Sequence, residues 1–317
     1  MLRSVYAPHL GRSVRFGRKR PVHHRCLKLG NYLYKEALPS APPAEDYSPP
    51  AASVLSNIYG NDTLGDCGIA GGYPMVGVWT GNAGDLFTAT MEQIVADYSK
   101  IGGYVPGDPT TDQGIELQTA LNYWTESGFA DGTKLLGWIG VDATNLDEVK
   151  SALWLFEGLY IGMELPDAWV SSMPTGPDFT WDVAGNPDPN NGHCIIGCGY
   201  DPSGVKICTW GLLGTQTWPA IQKYCAASSQ GELYVMLSPD QLAKGQTKCP
   251  NGVDWTGLLE DFMALGGHVS PPPMPPPGPT PEPTPIPPFP DPAPGAVTLE
   301  QAVAWATAGL QSSWPKP

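Results

Sequence analysis

The chain has 317 residues, a formal net charge of −14 and 41% hydrophobic residues. This composition is that of a globular protein with room for one large domain or two ordinary ones. No apolar run approaches the roughly 18 residues that a membrane helix needs, which argues against a membrane protein. The acidic balance repels phosphates, which argues against an enzyme that acts on nucleic acid.

The charge is unevenly distributed along the chain. Residues 1–30 carry eight basic side chains and no acidic one, whereas the remaining chain has nine basic against 31 acidic residues. We expect this basic arm to be extended, to have little regular structure, and to lie on an acidic surface of another protein subunit. Nucleic acid is a partner that only the arm could bind. No apolar segment follows the basic residues, so a secretory signal is not expected.

The arm and a proline-containing lead-in are predicted to occupy residues 1–50, and a folded body residues 51–269. Capping residues and apolar positions at helical spacing predict four helices in the first half of the body. These helices begin at or near Cys67 and after Thr90, Asp112 and Asn145. Compact apolar runs then predict strands at 159–165, 193–200, 205–210 and 231–237. Helices followed by antiparallel strands define an α+β class, not alternating βαβ units.

The C-terminal part has a different composition. Of the 24 residues from 271 to 294, 15 are proline, so residues 270–297 are predicted to be a polyproline-like linker. A capping box at Thr298 and an apolar face predict a short amphipathic helix over residues 298–313. We expect this helix to dock on the body or on another protein subunit.

Seven cysteines, an odd number, are present in a chain with no expected export signal. Reduced thiols are therefore predicted, and a reducing cytoplasm or a virion is favoured over secretion. Histidine and cysteine lie together at 23–26 and at 193–198, but neither group has the paired spacing of a zinc site. No metal and no cofactor are expected.

The segment YGNDTLGDCGIAGG, residues 59–72, places Cys67 after a turn and at a predicted helix start. A helix N-terminus lowers the pKa of a thiol, so Cys67 is a candidate nucleophile, with a merely buried cysteine as the alternative. Cysteine catalysis also needs a base. Three of the five histidines lie in the arm, which leaves His193 and His268. His193 begins a predicted strand after a loop, a position that suits projection into a cleft.

The order of these segments resembles that of papain-like cysteine peptidases. The segments that carry the resemblance lie within roughly residues 60–235; they are GNDTLGDC, TATMEQIVADY, TDQGIELQTALNYWTESGF, LDEVKSALWLFEGLYIGMEL and HCIIGCGYDPSGVKICTWG. The resemblance implies a papain-like α+β fold with a central cysteine-bearing helix. It also implies that Cys67 is the nucleophile and His193 the base, and that Asn61 and the Cys67 backbone N–H stabilise the oxyanion.

Three features depart from the family pattern. The family's histidine-orienting asparagine falls on Cys208, or on Thr209 if the following turn is shifted by one residue. Asn61 is one methylene shorter than the family's glutamine. Pro74 lies inside the predicted central helix, where proline removes a backbone hydrogen bond, so a kink is expected.

Two functions are consistent with these features. The first is a papain-like cysteine hydrolase, a peptidase with a Cys67–His193 dyad that acts on a peptide or amide bond. The alternative is a catalytically weak or inactive papain-fold structural component of a larger assembly, such as a virion, capsid or tail. The placement of Cys67 relative to His193 discriminates between the two.

Overall fold

The computed structural model describes residues 2–265, and residue 1 and residues 266–317 are not described. The linker predicted at 270–297 and the helix predicted at 298–313 therefore lie outside the described residues, as does His268. Within the described part, no helix is long and apolar enough to cross a membrane.

The first half of the fold is mainly helical. The helices of the described chain are α1 (Ala52–Leu55), α2 (Cys67–Asn82), α3 (Met91–Gly102), α4 (Leu117–Glu126), α5 (Leu146–Phe156), α6 (Asp167–Ser171), α7 (Trp218–Tyr224), α8 (Pro239–Lys248) and α9 (Trp255–Ala264). Helix α2 is buried on nearly all sides and runs through Pro74 as one helix. It packs against the central strand of the sheet, so its first residue is held inside the molecule.

The second half of the fold is mainly a sheet. The strands are β1 (Ser4–Ala7), β2 (Arg12–Arg15), β3 (Glu45–Asp46), β4 (Gly137–Gly140), β5 (Leu159–Pro166), β6 (Phe179–Trp181), β7 (Pro187–Asp201), β8 (Gly204–Thr209), β9 (Leu212–Thr217) and β10 (Glu232–Leu237). The main sheet has the order β4-β10-β5-β7-β8-β9-β6, with β3 paired to β7. All of its pairings are antiparallel except that of β6 with β9. The predicted α+β class, with a helical first half and a sheet in the second half, is confirmed.

The sheet separates two apolar cores. Successive residues of a strand point to opposite faces, and in β7 the side chain of Ile195 packs in one core while those of Cys194 and Ile196 pack in the other. The core that holds Ile195 also contains α5 and α7, whereas the other surrounds α2. The long central strand β7 therefore connects the sheet to the cysteine-bearing helix.

Local signals placed α3 and α5 correctly, because each has a side-chain cap. Thr90 accepts from the backbone N–H of Gln93 in a complete capping box, and the Asn145 side chain caps α5 by accepting from the Glu148 N–H. The helix predicted after Asp112 begins only at Leu117. The delay has a physical cause: Gly114 has φ +72° and the next residue pairs with the N-terminal arm, so this stretch stays extended.

The basic arm differs most from expectation. It contains regular structure, an antiparallel hairpin of β1 and β2, and it lies on an acidic surface of its own chain, not of another subunit. Ion pairs to the body are Arg3 with Asp167 and Asp188, Arg12 with Asp62, Arg15 with Asp112, Arg18 with Glu232, and Arg20 with Glu164. Apolar side chains bury the arm as well: Ala7, Val14 and Phe16 are at most 2% exposed. Docking of the arm on another subunit stays a prediction, although the charges and apolar anchors of the arm are already paired within one chain.

Candidate active site

Cys67 is the first residue of α2 and is 1% exposed. The first four backbone N–H groups of a helix have no acceptor within the helix, so this end is electropositive. Asp66 is the N-cap residue, and its carbonyl accepts the first backbone bonds of the helix from Ile69 and Ala70, at 2.8 and 2.9 Å. The thiol is thus positioned by the helix start that the sequence predicted.

His193 lies in β7 and is 2% exposed. Cys67 and His193 line the same small cavity, of about 20 Å³, between α2 and the sheet. A cavity of this size holds about one water molecule. The structure therefore brings the two predicted residues together across the junction of the helical half and the sheet.

The two ring nitrogens of His193 have different environments. Nε2 lies 2.8 Å from Thr209 Oγ1, whereas buried Nδ1 has no hydrogen-bond partner among the described residues. When Nε2 carries the proton and donates to Thr209, Nδ1 keeps an unpaired lone pair that can accept a proton. Cys208 also lines the cavity, but its thiol lies 3.2 Å from the Leu55 carbonyl oxygen. Of the two sequence alternatives for the neighbour of His193, the structure places Thr209 there.

A strained two-residue turn supports the histidine. Trp210 and Gly211 connect β8 to β9 with φ of +47° and +77°, a left-handed geometry that suits a tight hairpin but costs a non-glycine residue roughly 1 kcal/mol or more. The indole of Trp210 stacks on the His193 ring, with centroids 4.2 Å apart and an interplanar angle of 16°. The strain is therefore offset by contacts that fix the plane of the imidazole.

Asn61 is hydrogen-bonded to Trp210, the residue that stacks on His193. Its Oδ1 accepts from the Trp210 indole N–H at 2.8 Å, and its Nδ2 donates to the Leu64 carbonyl at 3.0 Å and to Asp66 Oδ1 at 3.3 Å. Asn61 does line the cavity, as the resemblance implied. Its amide hydrogens are nevertheless used within the loop, so in this state it positions Trp210 and leaves the Cys67 backbone N–H as the available donor at the thiol.

Burial keeps both candidate catalytic groups neutral. It raises the pKa of the Cys67 thiol to about 12, although the backbone N–H groups of Cys194 and Gly17 lower this pKa in part. Burial also lowers the pKa of His193 to about 3. The state described here is thus a thiol beside a neutral imidazole, not a thiolate–imidazolium pair.

The low pKa of His193 predicts how stability depends on pH. The unfolded chain binds a proton at His193 below about pH 6.5, whereas the folded chain does so only near pH 3. Between these values the unfolded state holds more protons, so stability falls as the pH falls through this window, by an amount on the order of a few kcal/mol. Urea unfolding at pH 7, 5 and 4 should show a shallower decline for His193→Gln than for the natural chain. Equal slopes would contradict the buried, neutral imidazole.

The Thr209 contact predicts a graded effect of substitution. Thr209→Val keeps the shape and removes the acceptor at Nε2, so we expect it to lower kcat/KM for any Cys67-dependent hydrolysis about 10-fold. Thr209→Ser keeps the hydroxyl and should stay within about 3-fold of the natural chain. Steady-state kinetics of both variants on one peptide checks this, and equal rates for both would show that the hydroxyl does not position the ring.

The N-terminal arm crosses directly over this site. Gly17 accepts from the Ile115 N–H at 2.9 Å, and Arg18 donates its N–H to the Gly192 carbonyl at 3.1 Å. Phe16 packs edge-on against His193, at 5.9 Å between ring centroids. A Cβ on Gly17 would lie 1.8 Å from the Gly65 carbonyl oxygen, so only glycine fits this passage. The arm is bound on both sides of the cleft, by the helical half and by the sheet.

This position of the arm could not be predicted, because backbone pairing across the cleft leaves no periodic pattern of residues. The one indication in the sequence was Gly17 within a basic run, since a glycine can mark a place where another backbone segment approaches closely. Among residues 2–265, no group of three or more histidine, cysteine, aspartate and glutamate side chains is arranged to hold a metal ion. All seven cysteines are free thiols.

Comparison with solved structures identifies the fold. The chain is similar to xylellain, a cysteine protease from Xylella fastidiosa, with a TM-score of 0.55 and 14% identity over 75% of this chain and 98% of xylellain. It is also similar to digestive procathepsin L 3 of the Tenebrio molitor larval midgut, with a TM-score of 0.50 and 12% identity over 70% of this chain and 76% of that one. No protein-family model and no curated protein sequence matches the chain. The chain therefore has a divergent papain-like fold, as its sequence predicted.

Proposed function

We propose that this protein is a cysteine peptidase in which Cys67 is the nucleophile and His193 the general base, and that the arm blocks its cleft in the state described. The observation that carries the proposal is the shared cavity. In it, a cysteine at a helix start lies with a buried histidine whose Nε2 is held by Thr209 and whose Nδ1 is free to accept a proton.

The chemistry follows from these positions. The Cys67 thiol transfers its proton to His193 Nδ1, and the thiolate attacks the substrate carbonyl carbon. The backbone N–H of Cys67 at the helix start stabilises the resulting oxyanion. The imidazolium returns its proton to the leaving amine, and a water molecule, deprotonated by His193, then hydrolyses the thioester. Thr209 accepts from Nε2 throughout, and the Trp210 stack keeps the ring in plane.

The arm covers the pair in this position: Phe16 packs edge-on against His193, and backbone hydrogen bonding from Gly17 lowers the pKa of the Cys67 thiol in part. Release of the arm would admit water, reduce the burial that keeps the pair neutral, and favour ionisation.

The test uses a clipped protein, defined as the full-length chain with a specific protease recognition sequence inserted at Val22 and cut after folding. Val22 is 84% exposed, so the insertion does not enter the core. We expect the clipped protein to hydrolyse a mixed peptide pool and Cys67→Ser to abolish this hydrolysis. Cys198→Ser is the matched control, because Cys198 is a buried cysteine of the same strand as His193 but does not line the cavity. Equal activity of clipped Cys67→Ser and the clipped natural sequence would reject the proposal.

The second candidate is a papain-fold protein without catalysis. The neutral state of Cys67 and His193 and the nearly closed cavity favour it. Its assembly role would not use the arm, which is bound to its own chain, so the helix predicted at 298–313 is the segment that we propose for docking to another protein. A clipped protein that melts cooperatively but neither hydrolyses the pool nor reacts at Cys67 would support this candidate.

A further inference from the structure

We propose that the cleft recognises an arginine side chain of its peptide substrate, through a pocket formed by Glu232, Gln230, Leu117 and Gly162. We call it the Glu232 pocket. In the structure it is occupied by Arg18 of the arm. The inference rests on the proposed function and adds the chemical class of the substrate to it.

The contacts of Arg18 show what the pocket selects. Its guanidinium Nε donates to Glu232 Oε1 at 2.7 Å, and its Nη2 donates to the Gln230 carbonyl at 2.5 Å. Both ionised side chains are at most 1% exposed. A planar fork of donors can satisfy a carboxylate and a carbonyl oxygen together, whereas an ammonium is a compact point charge without this geometry. The pocket thus satisfies two of the three guanidinium nitrogens, and Nη1 is buried without a partner among the described residues; this two-acceptor geometry matches arginine better than lysine.

Glu232 is positioned by the body of the protein and not only by the arm. Its Oε2 accepts from the Tyr234 hydroxyl at 2.7 Å, and that hydroxyl accepts from Gln118 Nε2 at 2.8 Å. Gln118 Nε2 also donates to the His23 carbonyl of the arm at 3.1 Å, but the bond from Tyr234 to Glu232 lies wholly within the body and does not depend on Arg18. A guanidinium that enters the vacated pocket would therefore meet a carboxylate already held in place and could form the charge-assisted hydrogen bonds that Arg18 forms now.

The walls of the pocket fit the stem of the same side chain. A Cβ on Gly162 would lie 2.7 Å from Arg18 Nε and 2.6 Å from Leu117 Cδ1. The absence of a side chain at 162 therefore makes the space that Arg18 fills, and Leu117 provides an apolar wall. An arginine can bury its methylene groups against such a wall and pair its head at the end.

The backbone of the arm shows how a substrate would reach the pocket. On either side of Arg18 the backbone of the arm is paired: Ile115 donates to the Gly17 carbonyl, Lys19 donates to the Ile115 carbonyl, and Arg18 donates to the Gly192 carbonyl. Any peptide has these main-chain groups, although position 17 itself admits only glycine. Arg18 supplies the side chain that enters the pocket, and it lies two residues from Phe16, which packs on His193.

The test is a rescue experiment in full-length Arg18→Ala, which empties the pocket. Alkylation of Cys67 by iodoacetamide is followed by mass spectrometry in the presence of Nα-acetyl-arginine amide, the lysine analogue or the norleucine analogue. We expect saturable protection by the arginine compound, about 10-fold weaker protection by lysine, and none by norleucine.

A second substitution, Glu232→Gln, should weaken arginine protection about 10-fold or more, whereas Glu164→Gln should not, because Glu164 pairs with Arg20 instead. Tyr234→Phe, which removes only the hydroxyl that holds Glu232, is the alternative if Glu232→Gln does not fold.

Hydrolysis of a peptide library by the Arg18→Ala chain separates this inference from the proposed function. Protection by arginine together with cleavage of arginine-containing peptides supports both. Arginine protection without cleavage of any peptide supports the pocket and rejects the peptidase. Equal protection by arginine and norleucine, or cleavage with no preference for arginine, overturns the pocket even if Cys67-dependent cleavage is observed.

Discussion

In the full-length chain, Arg18→Ala is expected to raise the rate at which iodoacetamide alkylates Cys67 by about 100-fold at neutral pH. The substitution leaves Glu232 buried without its cation, and the loss of one partner of a buried ion pair costs about 3–5 kcal/mol. This cost applies only while the arm is docked, because water reaches the carboxylate once the arm leaves. The equilibrium therefore shifts toward the open cleft by a factor of about 100 or more.

The matched control for this prediction is Lys19→Ala. Lys19 is the next basic residue of the arm, but its side chain is exposed, and it forms no ion pair within the described part of the chain. We expect its alkylation rate to stay within about 2-fold of that of the natural chain, since an exposed charge contributes little. A different result is that Cys67 is alkylated at the natural rate in both variants while Arg18→Ala melts at a lower temperature. In that case the ion pair stabilises the fold without controlling access to Cys67.

The second large effect is expected at the base. In the clipped protein, His193→Gln should lower Cys67-dependent hydrolysis about 1,000-fold, because no other group in the cavity can take the thiol proton at neutral pH. The alkylation rate of Cys67 should fall in parallel, since less thiolate forms. Steady-state hydrolysis and alkylation measured on the same preparation check both statements.

An exposed histidine provides the control for the base. His23→Gln removes an imidazole at the surface of the arm and should leave hydrolysis unchanged. Thermal melting of each variant separates loss of chemistry from loss of fold. Hydrolysis by folded His193→Gln at the rate of the unsubstituted clipped protein would mean that another group activates Cys67.

The parts of the site that depend on local sequence could be predicted. A turn followed by small residues indicated the helix start at Cys67. His193 was expected to begin a strand after a loop, but β7 already begins at Pro187, because residues of the expected loop pair with β5. The choice between Thr209 and Cys208 could not be made by counting, because it depends on the left-handed turn at Trp210 and Gly211, which sets the register of β8 against β9. A tryptophan in that conformation is maintained by contacts with His193 and Asn61, which are distant in sequence.

Helices and strands without a marked apolar pattern were not predicted from the sequence. Strand β9, with the sequence LLGTQT, alternates between buried and half-buried residues and has no compact apolar run. Helix α8 is polar overall, although a signal was present, since Ser238 caps it by accepting from the Gln241 N–H. For the arm, the sequence predicted only that it lies on an acidic surface. Its route through the cleft depends on backbone pairing with Ile115 and Gly192, which no residue pattern encodes.

The central claim is that Cys67 and His193 form a reactive pair that the arm covers. The most direct measurement is intact and peptide mass spectrometry after exposure to a peptidyl epoxide, a reagent that a nucleophilic cysteine opens, with the natural chain compared before and after clipping. We expect one adduct, on Cys67, formed at least about 100-fold faster after clipping and nearly absent in clipped His193→Gln. A folded, clipped protein that forms no adduct at Cys67, or that is modified equally in the presence and absence of His193, would contradict it.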